Sequence, residues 1–198
     1  MKISGYVNDK NGRAIEGASV ELKSEDFETV YRACSGKNGY YEICAEDKFY
    51  PFLASVKDYG EKNLEYWCQN LDLYEDMRLD ISFDKLEIYG LHVFSVRGAY
   101  PSLMVYFRPM SLEKFKNGND DIAPDVREIC VEIDNYKSEI YSINKVGEFI
   151  GDRVLTAYLL QVSLPEGQCA WEKMSVKICD ENYNQGWADI FNAQAKKR

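Results

Sequence analysis

The chain has 198 residues, 45% of them hydrophobic and 29% charged, with a formal net charge of −9 and a pI near 4.8. That length suits two domains of about 100 residues each, and that composition supports packed cores rather than disorder. The acidic balance argues against nucleic acid and anionic membrane surfaces as partners, because both are bound through fields of Lys and Arg.

The chain opens with Met1 and passes at once into a strand-like segment, without the apolar core of a signal peptide. The expectation is cytoplasmic if Met1 is the natural start, and extracellular or surface-bound if a leader has been removed. No run approaches the ~20 apolar residues of a membrane span. The tail Lys196-Lys197-Arg198 reads as a solvated end.

The first 85 residues read as short strands. Lys2–Asn8 alternates, with Ile3, Gly5 and Val7 on one face. Asn8-Asp9-Lys10-Asn11-Gly12 is a turn, since Asn and Asp tolerate the left-handed region and Gly supplies positive φ. Ala18–Lys23 alternates next. Glu28–Cys34 and Tyr40–Ala45 flank Ser35-Gly36-Lys37-Asn38-Gly39 and predict a hairpin. Phe52–Lys57, Leu64–Leu71 and Met77–Phe83 complete the set.

Ile3-x-Gly5-x-Val7, a turn through Asp9 and Gly12, and Ile15-x-Gly17-Ala18-x-Val20 resemble the opening of the carboxypeptidase regulatory-like, or transthyretin-like, family. Gly39-Tyr40-Tyr41-Glu42-Ile43 is similar to that family's Gly-x-aromatic-x-aliphatic hairpin, and Ala54–Gly60 to its next strand and loop. Ser35-Gly36 departs from the Thr-Asp pair the family often carries there. The resemblance covers residues 1–85. It implies a prealbumin-like sandwich of seven strands, an accessory module without chemistry of its own.

From Leu86 on, Leu86–Val96, Ser102–Arg108, Glu128–Ile133, Glu139–Asn144, Leu155–Leu164 and Lys173–Cys179 read as strands separated by turns such as Gly151-Asp152 and Pro165-Glu166-Gly167. Their spacing suggests an immunoglobulin-like sandwich over residues 86–198. Gly186–Phe191 is either a last strand or a short helix. The expected fold is therefore all-β, two sandwich domains abutting near residue 86 without a linker.

Candidate chemistry is sparse. The single histidine, His92, has no nucleophile elbow around it and reads as a structural or surface residue. The six cysteines (Cys34, Cys44, Cys68, Cys130, Cys169, Cys179) form no C-x-x-C pair and read as free, mostly buried thiols. Asn119-Asp120-Asp121 with Asp125 offers oxygen ligands for calcium but lacks the spacing of an EF-hand loop, so it reads as a solvated acidic loop and no metal is expected. Neither phosphate-binding glycine pattern occurs, and no cofactor is expected.

Aromatic residues stand out, with 15 Tyr, 9 Phe and 3 Trp. In Leu64–Leu71 the alternation puts Trp67 with Glu65 and Gln69 on the more polar face, and Tyr40 alternates against Tyr41 and Ile43. Trp67 and Tyr40 are thus candidates for exposed aromatic contacts to a sugar ring or a protein partner. The competing reading places Trp67 beneath the second domain. The functional expectation is a non-catalytic interaction module for a protein partner or scaffold. A carbohydrate-binding module is the alternative, and a carboxylate-based hydrolase a third.

Overall fold

The structure is a computed structural model; it describes residues 1–96, 101–165 and 170–193. The expected Pro165-Glu166-Gly167 turn (in part), Cys169 and the basic tail lie outside the described residues.

In chain order the strands are β1 (Lys2–Asn8), β2 (Ser19–Lys23), β3 (Thr29–Cys34), β4 (Tyr40–Cys44), β5 (Phe49–Val56), β6 (Tyr66–Asp72), β7 (Met77–Arg78) and β8 (Ile81–Ser82) in the first half. The second half holds β9 (Leu86–Phe94), β10 (Ser102–Ser111), β11 (Val126–Ile133), β12 (Tyr136–Lys137), β13 (Ile140–Ile150), β14 (Arg153–Ser163), β15 (Lys173–Asp180) and β16 (Gln185–Phe191). Among the described residues a single short helix, α1 (Leu112–Lys116), is capped by Ser111, whose side chain accepts from the Lys114 amide. The fold is all-β and sandwiched. The segment left open between strand and helix, Gly186–Phe191, is strand.

An eight-stranded sheet, β12-β11-β15-β16-β6-β5-β2-β3, runs through both halves. Its two halves meet where β16 pairs in parallel with β6, Ala188 lying opposite Trp67. Two smaller sheets cover it: β4-β1-β7, with β8 also on β1, and β13-β14-β10-β9. Period-2 alternation decides which face each covers. On β6, Tyr66 and Cys68 join the core that holds Ile3, Val20 and Leu53, whereas Ala188 and Ile190 of β16 join the core of Leu86, Val105 and Ile178. Trp187 and Phe191, which flank them in sequence, pack on the first core. The two smaller sheets therefore lie on opposite faces of the long one, each covering about half of it.

The expected hairpin of Glu28–Cys34 with Tyr40–Ala45 is not formed. β3 pairs with β2 in the long sheet, and β4 pairs with β1 in the opposing one. The Ser35–Gly39 turn is a corner between layers. Ser35 fixes it: its hydroxyl donates to the Ile15 carbonyl at 2.5 Å and accepts from the Ala18 amide at 2.9 Å. A turn-rich stretch between two alternating segments signals a reversal of the chain, but not whether it stays in one sheet.

Close approach of the halves is set by Gly186. A Cβ there would stand 2.7 Å from the Leu86 carbonyl oxygen. Only glycine lets β9 lie this tightly on β16.

Candidate functional site

Trp67 falls on the face its alternation predicts, but that face is covered. The residue is 9% exposed, because β9 of the overlying sheet reaches the junction and closes it. Its indole Nε1 donates to Glu87 Oε1 at 2.9 Å, and the other carboxylate oxygen of Glu87 accepts from the Glu65 amide at 3.2 Å. Edge-on contacts to Phe27, Phe52 and Tyr89 complete the wall, with centroids 6.0–6.3 Å away. Arg108 caps it, its guanidinium 4.8 Å from the Tyr89 centroid and paired with Glu148 at 2.6 Å. Burial raises the Glu87 carboxyl to about 7, against the hydrogen bond from Trp67 that lowers it. Trp67 packs the junction; the expectation of an exposed ring is corrected.

Tyr40 is exposed, as its alternation predicts, with Tyr41 and Ile43 buried beneath it. Its ring meets Tyr6 edge-on at 5.6 Å, and its hydroxyl donates to Glu42 at 2.6 Å. It stands in the sheet of β1 and β4, whereas Trp67 stands in the long sheet. The two candidates share no face and form no common platform.

His92 is exposed on β9, its ring 6.3 Å from that of Tyr106. The acidic loop is not simply solvated. Asp121 accepts from the Ala123 amide and from both the amide and the hydroxyl of Thr156, which tie the loop to β14. Asp125 pairs with Lys114. Among the described residues no group of three His, Cys, Asp or Glu converges as a metal site. Cys34, Cys44, Cys68, Cys130 and Cys179 are free thiols, but the expectation that most are buried is corrected: only Cys68 of these five is buried, and Cys34 and Cys44 lie on the solvent side of their strands.

A cleft of about 440 Å³ opens where β6 and β16, running parallel, both end. Its lining includes Phe49, Asn70, Asp72, Tyr74, Arg78, Glu172 and Phe191. Asn70 adopts a left-handed conformation (φ 60°), and its amide Nδ2 donates to the Phe191 carbonyl at 3.1 Å, which locks the two strand ends together. The Leu73 amide donates to the Lys48 carbonyl and the Lys2 amide to Asp76, which fixes the loop carrying Tyr74. Phe49 and Tyr74 present their rings at the rim, 41% and 60% exposed. Aromatic faces thus stand beside acceptors (Asp72, Glu172, the Asn70 carbonyl) and one cationic side chain, Arg78, whose guanidinium pairs with Asp80 at 3.0 Å. The sequence reading missed this cleft, because its walls lie 121 positions apart along the chain.

A second recess, of about 300 Å³, lies where β8 ends over the long sheet. At its base Tyr66 donates to Asp189 at 2.5 Å, and Lys173 pairs with the same carboxylate oxygen at 3.1 Å.

No protein-family model matches the chain, and no curated protein matches it. Among solved structures, it is similar to a candidate carbohydrate binding protein from Bacteroides uniformis, at 9% identity over 94% of this chain and 95% of that one, with a TM-score of 0.34. A DUF3823 family protein from Bacteroides ovatus matches at 9% identity over 96% and 98%, TM-score 0.32. BcpA, the major pilin subunit of Bacillus cereus, matches at 12% identity over 96% and 67%, TM-score 0.33. At these scores the likenesses carry no argument about function. Among the described residues no helix is long and apolar enough to cross a membrane.

Proposed function

We propose that the protein is a non-catalytic binding module whose ligand is an uncharged carbohydrate seated in the cleft at the ends of β6 and β16. The observation that carries this reading is the pairing of two exposed rings, Phe49 and Tyr74, with Asn70, Asp72, Glu172 and Arg78 around one cavity. A sugar offers apolar C–H faces to stack on rings and hydroxyls that both donate and accept. Carboxylates and an amide carbonyl accept those protons, and the guanidinium donates to ring or hydroxyl oxygens. The carboxylate excess disfavours an anionic glycan.

In this reading residues 1–85 are a carboxypeptidase regulatory-like module and residues 86–198 an immunoglobulin-like domain fused to it through the long sheet. Trp67 serves the module by holding the halves together, and Tyr40 is a second, separate aromatic contact. A glycan ligand suits the surface or extracellular setting better than the cytoplasmic one.

A glycan array screened with the intact chain, followed by calorimetry on the strongest binder, tests the proposal. Tyr74→Ala and Phe49→Ala should each weaken binding about tenfold or more while leaving the melting temperature near that of the parent, since both rings are exposed. Binding that survives both substitutions, or an array without a specific binder, overturns it.

A further inference from the structure

The hairpin of β13 and β14 ends in a two-residue loop, Gly151-Asp152, with Ile150 opposite Arg153. In such a hairpin the closing pair exchanges both backbone hydrogen bonds, and hydrogen-bonded pairs then alternate along the ladder. Even-numbered residues from 144 to 150 therefore spend their amides and carbonyls on β14. Ile143, Lys145, Gly147 and Phe149 direct theirs to the other side, where β13 has no neighbouring strand among the described residues. The register runs without a bulge from Ser142 to Ile150. This edge carries no proline. Among the described residues no strand or helix covers it. Proline, bulges and covering elements are among the devices that normally keep an edge strand from pairing with another chain; of the others, this strand carries only the charges of Lys145 and Glu148.

The side chains are bare as well. Ile143 and Phe149, on the face that Tyr158 and Leu160 share across the ladder, are 53% and 82% exposed. Val154, opposite Phe149, is 51% exposed. Towards the base of the arm Thr156 bonds Asp121 and Tyr158 stacks on Phe107, whereas at the tip Phe149, Ile150 and Val154 are left exposed.

We propose that this edge pairs antiparallel with the same edge of a second copy of the chain, about a two-fold axis at Val146. The sequence of the strand selects that occupant and that register. Opposed residues must share a face, so the sum of their numbers is even. With Val146 opposite itself, Ile143 faces Phe149 of the second copy, and Phe149 faces its Ile143. On the other face Asn144 lies opposite Glu148, whose carboxylate is held by Tyr106 and Arg108 of its own chain and so presents no unpaired charge to the second copy. Lys145 faces Gly147, which offers no obstruction, and its ammonium is already turned over the ring of Tyr158 in its own chain. Shifting the axis by one residue towards the start of the strand sets Lys145 against Lys145. Shifting it the other way sets Phe149 against Lys145 and Val146 against Glu148. Only the Val146 register joins apolar to apolar on both faces. Residues 143, 145, 147 and 149 would then pair reciprocally, each pair exchanging two backbone hydrogen bonds. The product is a continuous sheet through both molecules with a closed, self-complementary interface.

The test is register-specific. Val146 would oppose itself in a pair lacking hydrogen bonds, with Cα atoms about 4.5 Å apart, within the range a disulfide bridges. Sedimentation of the intact chain from about 1 μM to 1 mM should show a monomer–dimer equilibrium. Val146→Cys should form a covalent dimer on mild oxidation. Lys145→Cys, whose counterpart is only a diagonal neighbour, should stay at the background level of the parent, which already exposes Cys34 and Cys44. Val146→Lys, which opposes two charges, should sediment as a monomer with its circular dichroism spectrum retained. A parent that stays monomeric throughout the range, or that grows into open polymers, overturns the proposal, as does cross-linking of Val146→Cys no better than that of Lys145→Cys.

Discussion

Trp67 and Glu87 face each other across the junction, indole Nε1 to carboxylate Oε1 at 2.9 Å, and so tie β6 of the long sheet to β9 of the sheet that covers it. The contact joins an apolar ring that needs cover to a carboxylate that needs donors. Replacing Trp67 by Ala removes both at once. The expected loss is about 3–5 kcal/mol, the usual cost of deleting a large buried aromatic, because the surrounding rings of Phe52 and Tyr89 cannot close the gap fully. Trp67→Phe should cost less in packing yet still strip Glu87 of a donor. Urea denaturation of the three proteins measures this. A Trp67→Ala variant as stable as the parent would show that β9 does not depend on the ring.

Glu87 makes stability depend on pH in an unusual direction. Its carboxyl titrates near 7 in the folded protein against an ordinary value of 4.5. The folded state therefore binds the proton more tightly than the unfolded chain does. Stability associated with this group is fully present below pH 4.5 and is lost as pH rises to 7, on the order of 3 kcal/mol in all. In Glu87→Gln that slope should be absent, while the variant sits below the parent at pH 5, since an amide cannot accept from both Trp67 and the Glu65 amide. Parallel slopes for parent and variant between pH 4.5 and 7.5 would remove Glu87 as the source.

Much of this was legible in the sequence, and the boundary of legibility is physical. Period-2 alternation located most strands and assigned their faces correctly: Ile3, Gly5 and Val7 point inward, Tyr41 and Ile43 lie beneath Tyr40, and Trp67 points away from Tyr66 and Cys68. Alternation says which side of a strand a residue takes, and nothing about what lies over that side. Hence alternation puts Trp67 on the right face and leaves open whether the ring is bare or covered by the second half; Glu87 and Tyr89, reaching it from another sheet, make it the covered one. The same limit applies to Ser35–Gly39, whose turn chemistry fits a hairpin and a layer-crossing corner equally well. The cleft was invisible because Asn70 and Phe191 meet through the parallel pairing of β6 with β16, which leaves no local signal.

Glu21 should govern the acid limb of stability. It is a half-buried carboxylate on β2 which burial alone would raise. Hydrogen bonds from Thr29, Lys23 and Ser19 outweigh that effect and hold it at about 2, against an ordinary 4.5. Arg32 adds an ion pair at 2.7 Å. Because the folded value is the lower one, the contribution is present above pH 4.5 and disappears as pH falls towards 2. Discounted for partial exposure it amounts to about 1–3 kcal/mol. Glu21→Gln should lower stability at pH 7 by that amount and converge with the parent near pH 2. A constant offset between the two at all pH values would assign the effect to packing instead.

The contact of β9 with β16 should tolerate no side chain at Gly186. A Cβ there would lie 2.7 Å from the Leu86 carbonyl oxygen and 2.8 Å from its carbon, both backbone atoms that cannot rotate away. Gly186→Ala must push β9 outward, at an expected cost of about 1–3 kcal/mol, the usual range for overpacking a tight interior. Gly36→Ala serves as the comparison: its Cβ would meet nothing closer than 3.7 Å, and it should melt within a degree or two of the parent. Displacing β9 also draws Glu87 from Trp67 and lets water reach the carboxyl, so the neutral-pH slope should weaken in Gly186→Ala and persist in Gly36→Ala. Thermal melts of all three proteins at pH 5 and pH 7.5 read both effects together. Loss of stability in Gly186→Ala with the slope intact would mean that β9 yields at Leu86 without moving Glu87, and the junction would then be two independent contacts rather than one.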